Sequence, residues 1–177
     1  MRIVLTGPPG SGKTSVIEEL EANLPPDWAV FVPEVARGML AFLREYEPHK
    51  MSMTYIQDLI ETLQLKGWAD NSYYAFFDRG IPDQMAYRTL YGLRIPEVLV
   101  QNAQKYRYDK VFFFPFWEEI YKQDDVRRES TKDAKHIDRL IQSAYRTAGY
   151  ELEVVPRASI EDRANFIMSH IESLQKT

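Results

Sequence analysis

The sequence has no cysteine and no long apolar stretch. The absence of cysteine excludes a disulfide framework, a thiolate metal site and a cysteine nucleophile. The longest apolar run, residues 111–117, is interrupted by Pro115 and falls far short of the roughly 20 residues that a membrane-spanning helix needs. The apolar stretch near the N-terminus is too short for the core of a signal peptide. We therefore expect a cytoplasmic protein that does not insert into a membrane.

The sequence also lacks a large excess of charge of either sign. Its 22 basic and 26 acidic residues give a net charge of −4, so a broad nucleic-acid-binding face is not indicated. The three histidines, His49, His136 and His170, are scattered and lack the spacing of metal ligands. These features argue against a nucleic-acid partner and against a histidine-ligated metal.

Strand-like and helix-like segments alternate along the chain. Apolar residues make up 45% of the 177 residues, and no repeat or Pro/Gly/Ser-rich linker divides them, so we expect one domain over residues 1–177. Short runs rich in branched and aromatic residues predict strands at residues 2–6, 28–32, 73–77, 110–114 and 150–155. Apolar residues at helical spacing predict helices around residues 16–24, 55–63, 82–90, 96–106, 137–144 and 160–171.

This alternation predicts an α/β fold with a mostly parallel, five-stranded sheet that helices cover on both faces. Apolar and acidic residues alternate over residues 151–154, which indicates that the last strand has one wet face or lies at an edge. Ser159 followed by Asp162 resembles a capping box and predicts the start of the final helix.

A phosphate-binding loop is predicted between the first strand and the first helix. Residues 7–14 match the pattern G-x-x-x-x-G-K-[ST] without a departure. Glycine permits the positive φ angles that a loop needs when its N–H groups converge on a phosphate, and the following helix adds its own N-terminal N–H groups. Lys13 would contact the β- and γ-phosphates, and the Thr14 hydroxyl would bind magnesium. The predicted nucleotide-binding residues are Gly7, Pro8, Pro9, Gly10, Ser11, Gly12, Lys13, Thr14 and Ser15.

The alternative explanation is a chance glycine-rich turn. At ordinary residue frequencies, with glycine at about 7%, the pattern arises by accident in roughly one such chain in a few hundred. Its position between a predicted strand and a predicted helix makes chance a still poorer explanation. We therefore expect the loop to bind ATP or GTP.

With this loop the chain resembles the nucleoside-kinase-like branch of the P-loop NTPases, and more narrowly the predicted ATPase/kinase family related to the ribosylnicotinamide kinase domain. The resemblance rests on residues 7–14, 32–37, 77–80, 114–117, 125–130, 155–157 and 161–163. It implies a three-layer sandwich with the strand order 2-3-1-4-5, a kinase-like lid at about residues 115–135, and ligands at the carboxyl ends of the strands. The family commonly has Asp-Gly-x-Arg in the lid, whereas this chain has Asp125-Val126-Arg127.

Two residues after the third strand are candidate site residues. Asp78 ends an aromatic strand, which suits a Walker B-type acid that holds magnesium or its water; the alternative is a helix cap before Pro82. Arg79 would then lie near the phosphates or the acceptor and bind substrate, unless it is a surface arginine.

A carboxylate after the second strand is a further candidate. Glu34 stands where related nucleoside kinases carry a carboxylate that faces the acceptor hydroxyl, and such a group can orient that hydroxyl and accept its proton. The alternative is an acidic residue in the first turn of a helix. Arg37 lies one helical turn later on the same face, where it would bind acceptor phosphate or only pair with Glu34.

Two arginines are candidates for a lid. Arg127 and Arg128 fall between the fourth strand and the next long helix, where P-loop kinases insert a mobile lid. A closing guanidinium would stabilise the negative charge of the migrating phosphoryl group as a catalytic residue. The alternative is a solvated helix of mixed charge, because the neighbouring residues are also charged.

Three functions fit these residues to different degrees. The first is a small-molecule kinase, in which NTP·Mg²⁺ donates its γ-phosphoryl group to a hydroxyl of a nucleoside-like acceptor. The second is an NTP-dependent switch or slow ATPase/GTPase that binds a protein or lipid partner, since binding and hydrolysis need only the loop and Asp78. An AAA-type mechanical ATPase is disfavoured because the chain has little room for a further helical domain. The absence of an Asn-Lys-x-Asp motif favours ATP over GTP.

Overall fold

Five parallel strands form the sheet at the centre of the fold. The structure is a computed structural model that describes residues 1–34, 73–121 and 130–175. For residues 174 and 175 it describes the backbone but not the side chains. The strands are β1 (Arg2–Thr6), β2 (Ala29–Val32), β3 (Tyr74–Asp78), β4 (Lys110–Phe113) and β5 (Glu153–Val154). They pair in the order β2-β3-β1-β4-β5, and every pairing is parallel. The expected fold class and strand order are confirmed.

Helices pack on both faces of this sheet. The described helices are α1 (Lys13–Asn23), α2 (Ile81–Leu90), α3 (Glu97–Lys105), α4 (Thr131–Thr147) and α5 (Ile160–Gln175), and a 3₁₀ turn covers Glu118–Ile120. One face of the sheet packs against α2, α3 and α4, and the other packs against α1 and α5. The result is the three-layer arrangement that a parallel sheet requires to bury both of its faces. None of the described helices combines the length and the apolar character needed to cross a membrane.

The central strand β1 is buried on both sides. Successive side chains of a strand point to opposite faces, and here Val4 enters the core beside α2 and α4, while Ile3 and Leu5 enter the core beside α1 and α5. All three side chains are completely buried. Such burial holds the carboxyl end of β1, and therefore the start of the loop that follows it, in a fixed place.

The last strand differs from its prediction. β5 consists of Glu153 and Val154 at the edge of the sheet, which is shorter than the predicted residues 150–155. Val154 is 58% exposed, whereas the next residue, Val155, is buried. The edge position is therefore as expected, but Val154 does not belong to the core. An edge strand has a partner on one side only, so fewer hydrogen bonds fix its length.

Helix predictions hold where the structure describes the chain. The start of α5 has the expected cap, because the N–H of Asp162 donates to Ser159 Oγ at 3.1 Å. The other described helices cover the predicted apolar stripes apart from single residues at their ends, and α4 differs most, since it begins at Thr131, six residues before the stripe at 137–144. The helix predicted at residues 55–63 lies outside the described residues.

Candidate active site

The loop after β1 has the backbone of a phosphate-binding loop. Gly7, Gly10 and Gly12 have φ angles of 146°, 74° and 85°, which residues with a side chain rarely adopt. Gly12 directly precedes α1 and, as a glycine, has no side chain that could cap the helix. The N–H groups of the first turn have no partner within the helix, and the positive end of the helix dipole favours an anion there.

Gly7 fixes where the loop leaves the sheet. A Cβ atom at this position would overlap the backbone carbonyl oxygen of Phe114. The N–H of Phe114 donates to the carbonyl oxygen of Thr6 at 2.8 Å, so the two segments are held side by side. Only glycine fits here without a shift of one backbone segment.

The side chain of Lys13 is folded onto its own loop. It is 5% exposed, and its ammonium donates to the carbonyl oxygens of Gly7 and Pro8, each at 3.0 Å, and to Ser11 Oγ at 3.3 Å. Burial, together with the positive charge of Arg79, lowers the pKa of Lys13 to about 8. An anion placed in the loop would favour the charged form and raise this pKa again.

Asp78 lies at the carboxyl end of β3, beside the loop. It pairs with Leu5 of β1. Its side chain is buried, and no residue in the described part of the chain donates a hydrogen bond to its Oδ1. Burial raises the pKa of this carboxyl, against the opposing effect of the Lys13 charge. Leaving a buried carboxylate oxygen unpaired is unfavourable for folding, and an oxygen in this condition suits a metal ion or its water.

Arg79 and Glu34 form an ion pair at the edge of the loop. Arg79 Nε donates to Glu34 Oε1 at 2.6 Å, and Nη1 donates to the carbonyl oxygen of Gly7 at 3.0 Å. Glu34 follows β2 and Arg79 follows β3, which are neighbours in the sheet, so both residues emerge at the same carboxyl edge. The guanidinium also lies 5.3 Å from the ring centroid of Tyr87.

Asp83 accepts hydrogen bonds from three parts of the site. It lies in the first turn of α2 and is completely buried. Its Oδ1 accepts from Thr6 Oγ1 at 2.8 Å and from Arg79 Nη1 at 3.3 Å. Its Oδ2 accepts from the N–H of Gly80 at 2.9 Å and from the hydroxyl of Tyr145 at 2.6 Å. This carboxylate thus joins the end of β1, the β3–α2 junction and α4.

Arg163 contacts the loop from α5. Its side chain is 5% exposed, and Nη1 donates to the carbonyl oxygen of Ser11 at 3.3 Å. A Cβ atom at Gly12 would lie 2.5 Å from Nη1, so the guanidinium packs directly on the loop backbone. Its Cζ also lies 5.6 Å from the ring centroid of Trp117.

Several of the candidates from the sequence meet in this region. Lys13, Glu34 and Arg79 are connected through hydrogen bonds to Gly7 or to one another, and Asp78 lies close enough to influence the pKa of Lys13. In the first turn of α1, Thr14 is exposed and Ser15 is half-buried. The roles of all these candidate residues in binding and catalysis stay predictions. The remaining candidates, Arg37, Arg127 and Arg128, lie outside the described residues.

Two of the alternative explanations are wrong. Arg79 is not a surface arginine, because it is 5% exposed and donates to a carboxylate on either side. Asp78 does not cap α2, because Gly80 is the N-cap residue of that helix, and the N–H groups of Gly80 and Ile81 donate to Asp83 and Tyr108.

Sequence reasoning missed Asp83, Tyr145 and Arg163. Acidic residues are common in the first turn of a helix, where they interact favourably with the helix dipole. The position of Asp83 in the sequence therefore does not indicate that its side chain is buried. Arg163 lies in one of the segments that carry the family resemblance, but nothing in its sequence context indicates contact with the loop. The one available signal for Arg163 was that its segment follows the other family-like segments in the expected order along the chain.

The parallel sheet and the glycine loop between β1 and α1 define a P-loop domain. The sequence profile described as "AAA domain" matches residues 2–163. The chain therefore belongs to this AAA domain family, and the expected kinship with P-loop NTPases is confirmed. No curated protein sequence matches the chain.

Solved structures of kinases share this fold over nearly the whole chain. Deoxyadenosine kinase from M. mycoides has a TM-score of 0.71 at 14% identity, covering 98% of this chain and 100% of that one. Thymidylate kinase from Candida albicans has a TM-score of 0.68 at 15% identity, with coverages of 98% and 92%. Thymidylate kinase from Ehrlichia chaffeensis has a TM-score of 0.66 at 12% identity, with coverages of 97% and 98%. At such low sequence identities, the structural similarity establishes a shared fold and nothing further about this chain.

Proposed function

We propose that the protein binds ATP with magnesium and transfers the γ-phosphoryl group to a hydroxyl of a nucleoside-like acceptor. The observation that carries this proposal is the Glu34–Arg79 ion pair, whose guanidinium donates to the carbonyl oxygen of Gly7 in the phosphate loop. Nucleotide hydrolysis needs only the loop and an acid. A carboxylate and a guanidinium at the edge of the loop supply the additional groups that an acceptor requires.

The loop suits the triphosphate of the donor. Lys13 donates to three oxygen atoms of its own loop, and phosphate oxygens offer stronger, charged acceptors at the same distance. The glycine backbone and the N-terminus of α1 add neutral N–H donors. Together they would hold the β- and γ-phosphates without reorganisation at the moment of transfer.

The donor atoms available near the loop fit magnesium, which prefers oxygen ligands and keeps several waters. Asp78 provides a buried Oδ1 that accepts no hydrogen bond from a described residue, and Thr14 is an exposed residue with a hydroxyl at the start of α1. Bound to these two residues, magnesium would supply charge neutralisation on the phosphates.

Glu34 and Arg79 would act on the acceptor side. The hydroxyl oxygen of the acceptor bonds to the γ-phosphorus, its proton passes to Glu34, and the bond from the γ-phosphorus to the bridging oxygen breaks so that ADP leaves. Arg79 Nη2 donates to no described residue and would bind an oxygen of the acceptor or of the migrating group. We assign acceptor phosphate binding to Arg37 and closure over the site to Arg127 and Arg128.

Kinases of the same fold support the choice of acceptor class. The M. mycoides enzyme is a deoxyadenosine kinase, and its structures contain dCMP and dCDP, dATP, or dCTP. The other two are thymidylate kinases. Nucleosides are therefore the first acceptors to test. Nucleoside monophosphates belong in the same panel as the comparison, because they would accept on a phosphate oxygen rather than on a hydroxyl.

A γ-phosphate transfer assay tests the proposal. Radiolabelled ATP or GTP is incubated with magnesium and a panel of nucleosides, nucleoside monophosphates and nicotinamide riboside, and labelled product is separated from inorganic phosphate. We expect transfer to at least one acceptor, with ATP preferred. Lys13→Ala should remove both transfer and tight nucleotide binding; unchanged ATP and GTP titrations for this variant would refute the donor site.

The same assay detects the second function. Stoichiometric nucleotide binding, with slow release of phosphate whatever acceptor is present, would overturn the kinase proposal. That result would favour an NTP-dependent switch or slow NTPase that binds a protein or lipid partner.

A further inference from the structure

The carboxyl group of Asp83 lies in a fully buried position. Among its four described donors, only the guanidinium of Arg79 is charged. The exposed fractions of the Arg79 and Asp83 side chains are 5% and 0%. Because a buried carboxylate without a countercharge is strongly unfavourable, Asp83 favours structures in which the Arg79 guanidinium stays beside it.

Asp83 also stabilises an unusual backbone conformation at Arg79. Arg79 has a φ angle of 73° and is the one non-glycine residue with positive φ in the described part of the chain. A side chain disfavours this conformation, which persists only where the surroundings over-determine it. The Asp83 carboxylate accepts from Nη1 of Arg79 and from the N–H of the next residue, Gly80. It thus fixes both the turn of the chain and the direction of the side chain.

We propose that Asp83 is a positioning residue for phosphoryl transfer: its carboxylate holds the guanidinium of Arg79 against the phosphate loop and beside Glu34. This inference rests on the proposed function. Asp83 is completely buried and acts on the reaction through Arg79. With Nε engaged by Glu34, and Nη1 by Gly7 and Asp83, the orientation of the remaining nitrogen, Nη2, is determined.

Tyr145 supplies a matched control for a merely structural role. Its hydroxyl donates to Oδ2 of the same carboxylate at 2.6 Å, but it has no hydrogen bond with Arg79. Tyr145→Phe removes a buried hydrogen bond of Asp83 and keeps the charge pair, whereas Asp83→Asn keeps the shape of the side chain and removes its charge. A structural role predicts similar effects of the two changes; a positioning role predicts that only Asp83→Asn disturbs Arg79.

The first experiment needs no substrate. Hydrogen exchange at the Nε–H of Arg79 is followed by NMR in the ¹⁵N-labelled full chain, with Arg79→Lys used to assign the signal. We expect slow exchange in the wild type and in Tyr145→Phe, and exchange faster by about tenfold or more in Asp83→Asn. A wild-type signal that exchanges as fast as that of a solvent-exposed arginine would overturn the proposal, as would an unchanged rate in Asp83→Asn.

The second experiment measures transfer kinetics. We expect Asp83→Asn to lower kcat/KM for the acceptor by roughly a hundredfold, the scale of effect when a reacting group is misplaced by about 1 Å, and to leave the Kd of the donor nucleotide within about twofold. Because Asp83 acts through Arg79, adding Asp83→Asn to Arg79→Gln should change kcat/KM by no more than about twofold. Additive losses in the double variant, or equal losses in Tyr145→Phe, would contradict the positioning role.

Failure of the two proposals can be told apart. If the wild type transfers phosphate to no acceptor, the proposed function fails, while the exchange rates still decide whether Asp83 holds Arg79. If the wild type is active and Asp83→Asn is equally active, the positioning role fails alone. Near-UV circular dichroism reports folding of each variant, and Asp83→Ser, which also removes the charge, replaces Asp83→Asn if that variant does not fold.

Discussion

The side chains of Lys13 and Arg79 donate hydrogen bonds to the same oxygen atom, the backbone carbonyl of Gly7, each at 3.0 Å. The carboxylates of Glu34 and Asp83 both pair with Arg79. Although burial acts to lower it, the pKa of Arg79 is raised well above its usual value, chiefly by Glu34. Burial lowers the pKa of Lys13 to about 8. Lys13 is therefore the cation whose charge an incoming anion can stabilise.

Nucleotide binding should weaken as the pH rises above about 8. The free protein loses the Lys13 proton in this range, whereas phosphate binding favours the charged lysine, so above this pH binding must be accompanied by proton uptake. From the pKa of about 8, we expect the Kd for ATP to be about tenfold higher at pH 9 than at pH 7. Calorimetry in buffers of different ionisation enthalpy should detect uptake of about one proton at pH 9.

The matched control for this pH dependence is Lys13→Met, which keeps an apolar chain of similar length. It should bind more weakly than the wild type at pH 7, with the same Kd at pH 7 and pH 9. If the wild type shows no change in Kd across this range, the pKa assigned to Lys13 is wrong.

Asp78→Asn should stabilise the protein in the absence of nucleotide. The pKa of Asp78 is raised in the folded state by burial, so folding favours the protonated form, and the free energy of unfolding falls as the pH rises from about 4 through the raised pKa. At pH 7 we expect Asp78→Asn to raise the free energy of unfolding by about 1–2 kcal/mol, the scale of a buried unsatisfied polar group. Urea denaturation measures this change.

The gain from Asp78→Asn should shrink as the pH approaches 4, where the wild-type carboxyl is protonated as well. Asp27→Asn, at an exposed position, should change stability by less than about 0.5 kcal/mol. A less stable Asp78→Asn at pH 7 would mean that the carboxylate is satisfied in the folded protein. The variant should also lose the stabilisation that magnesium adds to ATP binding.

Glu34→Gln should separate binding from transfer. The amide cannot accept the proton of the acceptor hydroxyl, so we expect transfer to fall by about 10²–10⁴-fold, while the Kd for ATP changes by less than about twofold. Quench-flow measurement of product formation gives the first quantity and fluorescence titration the second. The control is Glu153→Gln, which removes a different ion pair, the one with the Lys110 ammonium at the sheet edge. It should alter neither quantity.

Gly7→Ala should be more damaging than the same change at another glycine with positive φ. At Gly92, where φ is 64° and nothing lies within 4 Å of a Cβ, alanine introduces backbone strain of about 1–2 kcal/mol. At Gly7 the Cβ also overlaps the carbonyl oxygen of Phe114, so we expect a loss of about 2 kcal/mol beyond that. Thermal unfolding compares the two variants, and nucleotide binding should survive in Gly92→Ala alone. Equal losses would show that the contact with Phe114 is easily relieved.

The fold and the loop could be predicted because their patterns are local. The features that predict them are the apolar residues of β1, the glycines at fixed spacing and the lysine that begins α1. They lie within a few residues of one another, so short-range geometry largely decides their arrangement. β5 was less predictable, since the length of an edge strand depends on pairing with β4 rather than on its own sequence.

The arrangement of the acidic residues was not predictable in the same way. Asp78 ends β3, and Asp83 lies five positions later in the first turn of α2. Among the described residues, Oδ1 of Asp78 has no hydrogen-bond partner, whereas both oxygens of Asp83 accept hydrogen bonds. Sequence reasoning singled out Asp78, because a strand-ending acid has a known use. It could not decide whether the carboxylate of Asp83 is buried or is one of the exposed acidic residues that commonly occur in the first turn of a helix.

The sequence by itself determined that this chain builds a parallel α/β sheet with a phosphate loop, because hydrophobic period and glycine spacing act over short distances along the chain. Only the tertiary structure decided that Glu34 meets Arg79, 45 residues away, and that Arg79 meets Gly7, 72 residues away. These contacts depend on which strands become neighbours in the sheet and in which register. That choice minimises the free energy of the whole packed core, so no single segment of the sequence contains it.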